Sequence, residues 1–178
     1  MSKYAGKYRN ESPRMPSWDY SGKGLYFITF VTEGRDEWFG EIDENNEIVL
    51  SNFGKIANDE WFQSFEIRKE LKLHEYILMP NHIHAIVELT APYSKLNKPF
   101  EFKRKPKSIS SFIAGYKSAT TNCIDDYIDL HHLDTPKFNR DNKLWHRNYH
   151  DHIIRNKEEY YRIKQYIKNN PRAWRENL

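Results

Sequence analysis

Two groups of residues have the types and spacing for chemistry. The first is Met79-Pro80-Asn81-His82-Ile83-His84. On a strand, residues two apart project from one face. His82 and His84 then stand side by side, Ile83 points into the opposite layer, and two imidazoles about 7 Å apart at their bases can converge on one cation. The His-x-His pattern is short, and a pair of polar residues on a solvated face satisfies it equally well. The second group lies on a helical pattern toward the end of the chain. Tyr160, Ile163 and Ile167 form an apolar stripe, Tyr166 sits at its edge, and Asn170 follows Tyr166 one turn later on the same face. A phenol and an amide oxygen stacked in this way can face a cation held by the two histidines. Tyr160 and Tyr161 rival Tyr166 for any special role. A boundary aromatic with its hydroxyl in water also describes Tyr166, and Asn170 before Pro171 also suits a helix C-terminus.

The elements that must position these residues follow from pattern. Residues 1–23 are broken by Pro13, Pro16 and Gly22 and read as irregular. The run LYFITFVT at 25–32 carries bulk on both alternating faces and predicts a central strand. Segments 38–42 and 47–50 flank Asp43-Glu44-Asn45-Asn46 and predict a small hairpin. Ser51-Asn52 offers an N-cap, and Phe53, Ile56, Trp61 and Phe65 continue as an amphipathic helix to about Glu66. Segments 72–79 and 83–89 are two strands around Pro80-Asn81. Residues 91–107 contain Pro and Lys without an apolar period and predict a mobile basic loop. A second helix spans 108–128, with Ile109, Phe112, Ile113, Tyr116 and Thr120 on one face. Residues 130–142 are irregular, and 143–155 is extended, ending in a strand. Asn156 caps a last helix, Glu159 completes a capping box, and Pro171 ends the helix. This order predicts a single α+β domain over 1–178. It is ferredoxin-like, with one mostly antiparallel sheet and helices packed on one face.

Composition narrows the class. A chain of 178 residues suits one domain and can bury a core without disulfides or metal. The lone Cys123 excludes a disulfide framework and favours a reducing compartment. No apolar run approaches the roughly 18 residues of a membrane span, and the first residues lack the apolar stretch of a signal peptide. A cytoplasmic protein with no membrane partner is expected. The net charge of +3 permits a nucleic-acid partner without demanding one. Aromatic residues make up 15% of the chain, enough to build a core and to leave some rings for unpaired bases.

Taken together, Met-Pro-Asn-His-Ile-His at 79–84, His-Ile-Ile-Arg-Asn at 152–156 and Tyr-Ile-Lys-Asn-Asn-Pro at 166–171 resemble the single-tyrosine HUH transposases. The branch most resembled is the REP-associated tyrosine transposases. The likeness runs from Tyr26-Phe27-Ile28-Thr29 through 108–121 to 145–174. It implies a ferredoxin-like fold, a divalent metal on His82 and His84, and Tyr166 as the nucleophile that attacks a DNA phosphate. Asn170 holds the position that is often a third ligand in this family, and Ile83 fits the apolar middle of the motif. The substrate implied is single-stranded or hairpin DNA, cleaved and rejoined through a phosphotyrosine at REP-like elements. The chemistry is consistent with the residues. A free Tyr has a pKa near 10 and attacks poorly at neutral pH, so Mg²⁺ or Mn²⁺ on the scissile phosphate would help. Two His and an amide leave positions open for phosphate and water, unlike a closed four-ligand zinc site. Imidazoles also suit Zn²⁺ or Ni²⁺.

For DNA, Lys103, Arg104, Lys105, Lys107, Lys117, Arg147 and Arg155 are candidate phosphate contacts, and Trp145 and Tyr149 candidate stacking platforms. Ordinary solubilising charge also explains the lysines, and a core anchor also explains Trp145. His152 matches a His often seen at this place in the family and is a further contact candidate. His150 and His152 share a face if their segment is extended, a rival pair with no evident third ligand. His74, His131 and His132 read as surface residues. Two functions compete: a metal-dependent DNA endonuclease and strand transferase, and a non-catalytic single-strand nucleic-acid-binding module of the same fold. The module shows no RNP-type aromatic pattern and leaves His82, His84 and Tyr166 without a purpose, so the enzyme is favoured. Both a monomer and a homodimer fit, with Tyr166 serving its own chain's histidines or those of a second copy.

Overall fold

The computed structural model describes residues 3–4, 7–8, 22–90 and 107–176. Strands β1 (Lys3–Tyr4) and β2 (Lys7–Tyr8) form a short antiparallel pair. The rest of the expected irregular segment 1–23 up to residue 21, and the expected basic loop up to residue 106, lie outside the described residues. The body contains β3 (Gly24–Val31), a 3-10 turn (Glu33–Arg35), β4 (Gly40–Ile42), β5 (Ile48–Leu50), α1 (Asn52–Ile67), β6 (Leu71–Met79), β7 (His82–Leu89), α2 (Ile109–Leu130), β8 (His150–Ile154) and α3 (Lys157–Glu176). The main sheet runs β6-β7-β3-β8 with every neighbour antiparallel. Leaving aside the β4–β5 hairpin, β3-α1-β6-β7-α2-β8 is the ferredoxin-like βαββαβ order.

Period-two alternation in β3 divides two cores. Tyr26, Ile28 and Phe30 are fully buried with Trp61 of α1 and Phe112 and Tyr116 of α2. Leu25 and Phe27 project from the other face and meet Ile163 and Ile167 of α3, beside Ile86 of β7. Helices α1 and α2 therefore share one face, while α3 covers part of the other. An apolar stripe specifies that a helix is buried but not which side of a two-sided sheet receives it. Both faces of β3 are bulky, and the second one needs α3.

Helix starts follow their caps. Ser51 Oγ accepts the Gly54 N–H at 3.0 Å, and Ser108 and Ser111 cap α2 reciprocally. Asn156 Oδ1 accepts the Glu159 N–H at 2.8 Å. The Glu159 carboxylate does not return to Asn156 as a capping box would. It accepts the Arg155 N–H at 2.9 Å and the His152 ring at 2.7 Å. Pro171 does not end α3, which continues to Glu176. Proline there removes one helical N–H donor, but Pro171 is buried and Trp174 packs on His82 with ring centroids 5.7 Å apart. Packing thus holds the final turns. Among the described residues, no helix is long and apolar enough to cross a membrane.

Candidate active site

The β6–β7 connection is only Pro80-Asn81, so Met79 pairs with His82 and the two histidines open β7. His82 lies opposite Val31 and His84 opposite Thr29 on β3. Both rings project from the α3 face, and Ile83 is buried in the core of the opposite face. Helix α3 covers the apolar half of this face with Tyr160, Ile163 and Ile167, then passes over the histidines. Thr29, Val31, His82, His84, Tyr166, Asn170 and Trp174 line an open cavity of ≈ 590 Å³.

The three residue types singled out in the sequence meet within one chain. The Tyr166 hydroxyl is 3.3 Å from His84 Nε2, and Tyr166 itself is 50% exposed. The His82 and His84 ring centroids are 4.6 Å apart. His82 Nε2 lies 3.3 Å from Asn170 Oδ1. The far nitrogens are also occupied. His82 Nδ1 contacts Asn81 Oδ1 at 2.8 Å, and His84 Nδ1 contacts Thr29 Oγ1 at 2.6 Å. A neutral ring that donates through Nδ1 presents a lone pair at Nε2. Tyr166 then donates its hydroxyl proton to His84 Nε2. His82 Nε2 instead faces an amide oxygen, two acceptors with no proton between them. That donor set suits a cation. Among the described residues no group of three or more His, Cys, Asp or Glu could hold a metal ion; beside the two rings, the Asn170 amide oxygen offers a further neutral donor at 3.3 Å from His82 Nε2.

Electrostatics keep the rings neutral. Burial pushes His82 down to about 4, with the nearby Arg35 charge adding to the effect against the Asn170 contact. Burial likewise pushes His84 down to about 3, helped by His82 and His150. Phe27 supplies part of that desolvation, stacking on His84 at 5.5 Å and meeting Tyr166 edge-on at 6.1 Å.

The other sequence candidates are placed as follows. Tyr160 packs in the second core and meets His74 edge-on, whereas Tyr161 is 61% exposed. His150 and His152 project from the α3 face of β8, but His152 is engaged by Glu159. The Arg155 N–H, then His152, hold the Glu159 carboxyl below its usual range. His74 is not a free surface residue, since its ring pairs with Glu88 at 2.8 Å. His131 and His132 are both exposed, the His131 ring lying tilted against Tyr127. Lys103, Arg104 and Lys105 lie outside the described residues; Lys107 is exposed beside the α2 cap. Lys117 donates to the His146 and Asn148 carbonyls at 2.7 and 3.2 Å, and burial pushes its pKa down to about 8. With Lys143 and Arg147 it lines a second open cavity of ≈ 290 Å³. Arg147 and Arg155 are exposed, and the Tyr149 hydroxyl is bound to Ser110. Trp145 corrects the expectation of a stacking platform. It is 6% exposed and packs on Phe30 and Phe39, so its ring belongs to the core.

Thr29, Trp174, Asn81 and Arg35 are among the site residues not singled out from sequence. Thr29 interrupts an apolar face of β3 with a hydroxyl, a signal that pairing with β7 alone makes meaningful. Trp174 continues the Tyr166–Asn170 spacing by one more turn, past a proline expected to stop it. Asn81 stood inside the quoted motif as a turn residue. Arg35 belongs to a turn with no period to reveal it.

The sheet order and the site describe a ferredoxin-like βαββαβ domain with an added helix laid over a pair of strand histidines. No known family profile matches the chain. A Haemophilus influenzae protein described as uncharacterized is 28% identical over 181 residues, which cover 97% of this chain and 94% of that protein. A REP-associated tyrosine transposase, solved bound to a REP hairpin, aligns with a TM-score of 0.58 at 16% identity. The alignment covers 92% of this chain and 74% of that one. The chain shares that transposase's fold, the fold that the sequence resemblance implies.

Proposed function

We propose that the protein is a single-tyrosine HUH transposase of the REP-associated kind, which cleaves and rejoins hairpin-bearing single-stranded DNA through a phosphotyrosine. The observation that carries this reading is the meeting of Tyr166 with His84 at 3.3 Å and of His82 with Asn170 at 3.3 Å in one solvent-open cavity. The likeness in fold to a transposase bound to a REP hairpin supports hairpin DNA as the substrate class.

In the proposed step the Tyr166 oxygen attacks phosphorus and its proton leaves to solvent. One phosphorus–oxygen bond forms to the phenol, and the opposite one to the departing sugar breaks, leaving a strand end that takes up a proton as a free hydroxyl. Rejoining reverses these events, a hydroxyl attacking the phosphotyrosine and restoring the phenol. His82 Nε2, His84 Nε2 and Asn170 Oδ1 would hold a divalent cation, Mg²⁺ or Mn²⁺. Such an ion supplies Lewis-acid stabilisation of charge on the phosphate. Asn81 and Thr29 keep the two Nε2 lone pairs turned inward. Phe27 limits water around His84, and the half-exposed Tyr166 is open to a bound strand.

The test is a denaturing gel of labelled hairpin-bearing oligonucleotide incubated with protein and Mn²⁺. The wild type is expected to give a covalent adduct that chelator suppresses. Tyr166→Phe is expected to give none while still binding the strand, since only the hydroxyl is removed. A wild type that forms no adduct on any hairpin-bearing strand would leave the non-catalytic binding module as the better reading.

A further inference from the structure

The cavity wall holds one cationic side chain among the described residues, Arg35, and its backbone is unusual. Gly34 and Arg35 both have φ 64. Glycine adopts that conformation without penalty, whereas arginine does not. The turn is kept in place by its neighbours. Thr32 Oγ1 donates to the Asp36 carbonyl at 2.8 Å and toward the Asn81 carbonyl at 3.1 Å. Asn81 Nδ2 donates to the Arg35 carbonyl at 2.8 Å. The same amide accepts the His82 Nδ1 proton through its oxygen, also at 2.8 Å. Asn81 is 5% exposed, so one buried side chain ties the Arg35 turn to the ring of His82.

Arg35 is exposed and forms no ion pair among the described residues, although the Glu37 carboxylate lines the same cavity. A solubilising arginine needs no left-handed turn and no buried amide behind it. Strained positions held by surrounding bonds accumulate where a side chain must be aimed. We propose that Arg35 binds a phosphate of the DNA strand lying at Tyr166, and that Asn81 is the positioning residue that holds Arg35 and His82 in fixed relation. A guanidinium offers paired N–H donors to phosphate oxygens and stays charged throughout the working pH range. The inference rests on the DNA reading of this site.

The experiment is equilibrium binding of a labelled hairpin-bearing oligonucleotide without divalent ion, measured over a series of salt concentrations. Arg35→Ala is expected to weaken binding about tenfold and to lower the salt slope by about 0.7, the share of one phosphate on a single strand. Arg35→Gly, whose backbone suits the turn, should do the same without loss of thermal stability, and Arg35→Lys should keep the slope. Asn81→Asp preserves the acceptor for His82 but removes the donor to the Arg35 carbonyl. Its loss of affinity should largely disappear in the Arg35→Ala background, because both changes act through one contact. Unchanged affinity and slope in Arg35→Ala and Arg35→Gly would overturn the phosphate site. Full additivity with Asn81→Asp would overturn the positioning role. A wild type that binds but forms no adduct, with the Arg35 effects present, would remove the catalytic reading and leave this one standing.

Discussion

At the residue scale, the site depends on rings that stay neutral. Both His82 and His84 titrate below the ordinary value of 6.5 when folded. Between that value and about 4 the unfolded chain therefore binds more protons than the folded one, and stability rises with pH across this window. With chelator present, each of the two groups should contribute a slope of about 1.4 kcal/mol per pH unit while it is protonated only in the unfolded state. Urea unfolding at a series of pH values should show stability falling as the pH drops below about 6.5, and His82→Ala/His84→Ala should flatten that fall. The rival tyrosines separate from Tyr166 in the adduct assay. Tyr161→Phe removes a hydroxyl from an exposed ring and should be neutral. Tyr160→Phe keeps the ring that packs in the second core, so it should cost at most about 1 kcal/mol of stability and leave the adduct intact.

At the element scale, the site is held by how closely the β4–β5 hairpin approaches α1 and the β6–β7 turn. The Phe39 N–H donates to the Pro80 carbonyl at 3.0 Å, next to Asn81. On its other side the Phe39 carbonyl abuts Gly54, where an added Cβ would sit 2.0 Å from that oxygen. Gly54→Ala must therefore displace backbone, and should cost about 2–3 kcal/mol. Gly115, in the interior of α2, has nothing within 4 Å of an added Cβ. Gly115→Ala should instead stabilise by about 0.5–1 kcal/mol. Thermal melts of the two variants check the opposite signs. These glycines also mark the limit of sequence reading. Ser51, Ser108 and Asn156 announce their helices because caps act locally, β3 follows from alternation, and β6 and β7 from two short runs around Pro80-Asn81. A close approach between elements leaves no local pattern, so Gly54 looks like Gly115 until the fold is known. The same reason hid the face taken by α3, the continuation past Pro171, and the Asn81–Arg35 link.

At the scale of the whole molecule, one chain assembles every group of the candidate site. His82 and His84 were legible as a pair because strand spacing fixes their common face, and Tyr166 and Asn170 because helical spacing fixes theirs. Whether the two faces meet is a property of the tertiary fold. Here α3 returns over its own sheet, anchored by Ile163 and Ile167 against Ile86 and by Lys164 and Lys168 near Glu75 at 3.4 and 3.9 Å. The apolar contacts carry this docking, since partly exposed ion pairs add little. A site completed within one chain predicts that mixing cannot restore activity. His84→Ala supplies an intact Tyr166 but an incomplete histidine pair, while Tyr166→Phe supplies the reverse. Exchange of α3 between copies would require the second core to open, exposing Ile163, Ile167 and Phe27 to water. Equimolar mixtures of the two variants should form no more adduct than either variant alone, and adduct yield per wild-type molecule should not change on dilution at saturating DNA. Recovery approaching a quarter of wild-type yield on mixing, the share expected for random pairing, would instead mean that α3 serves a second copy. The site would then be shared between chains.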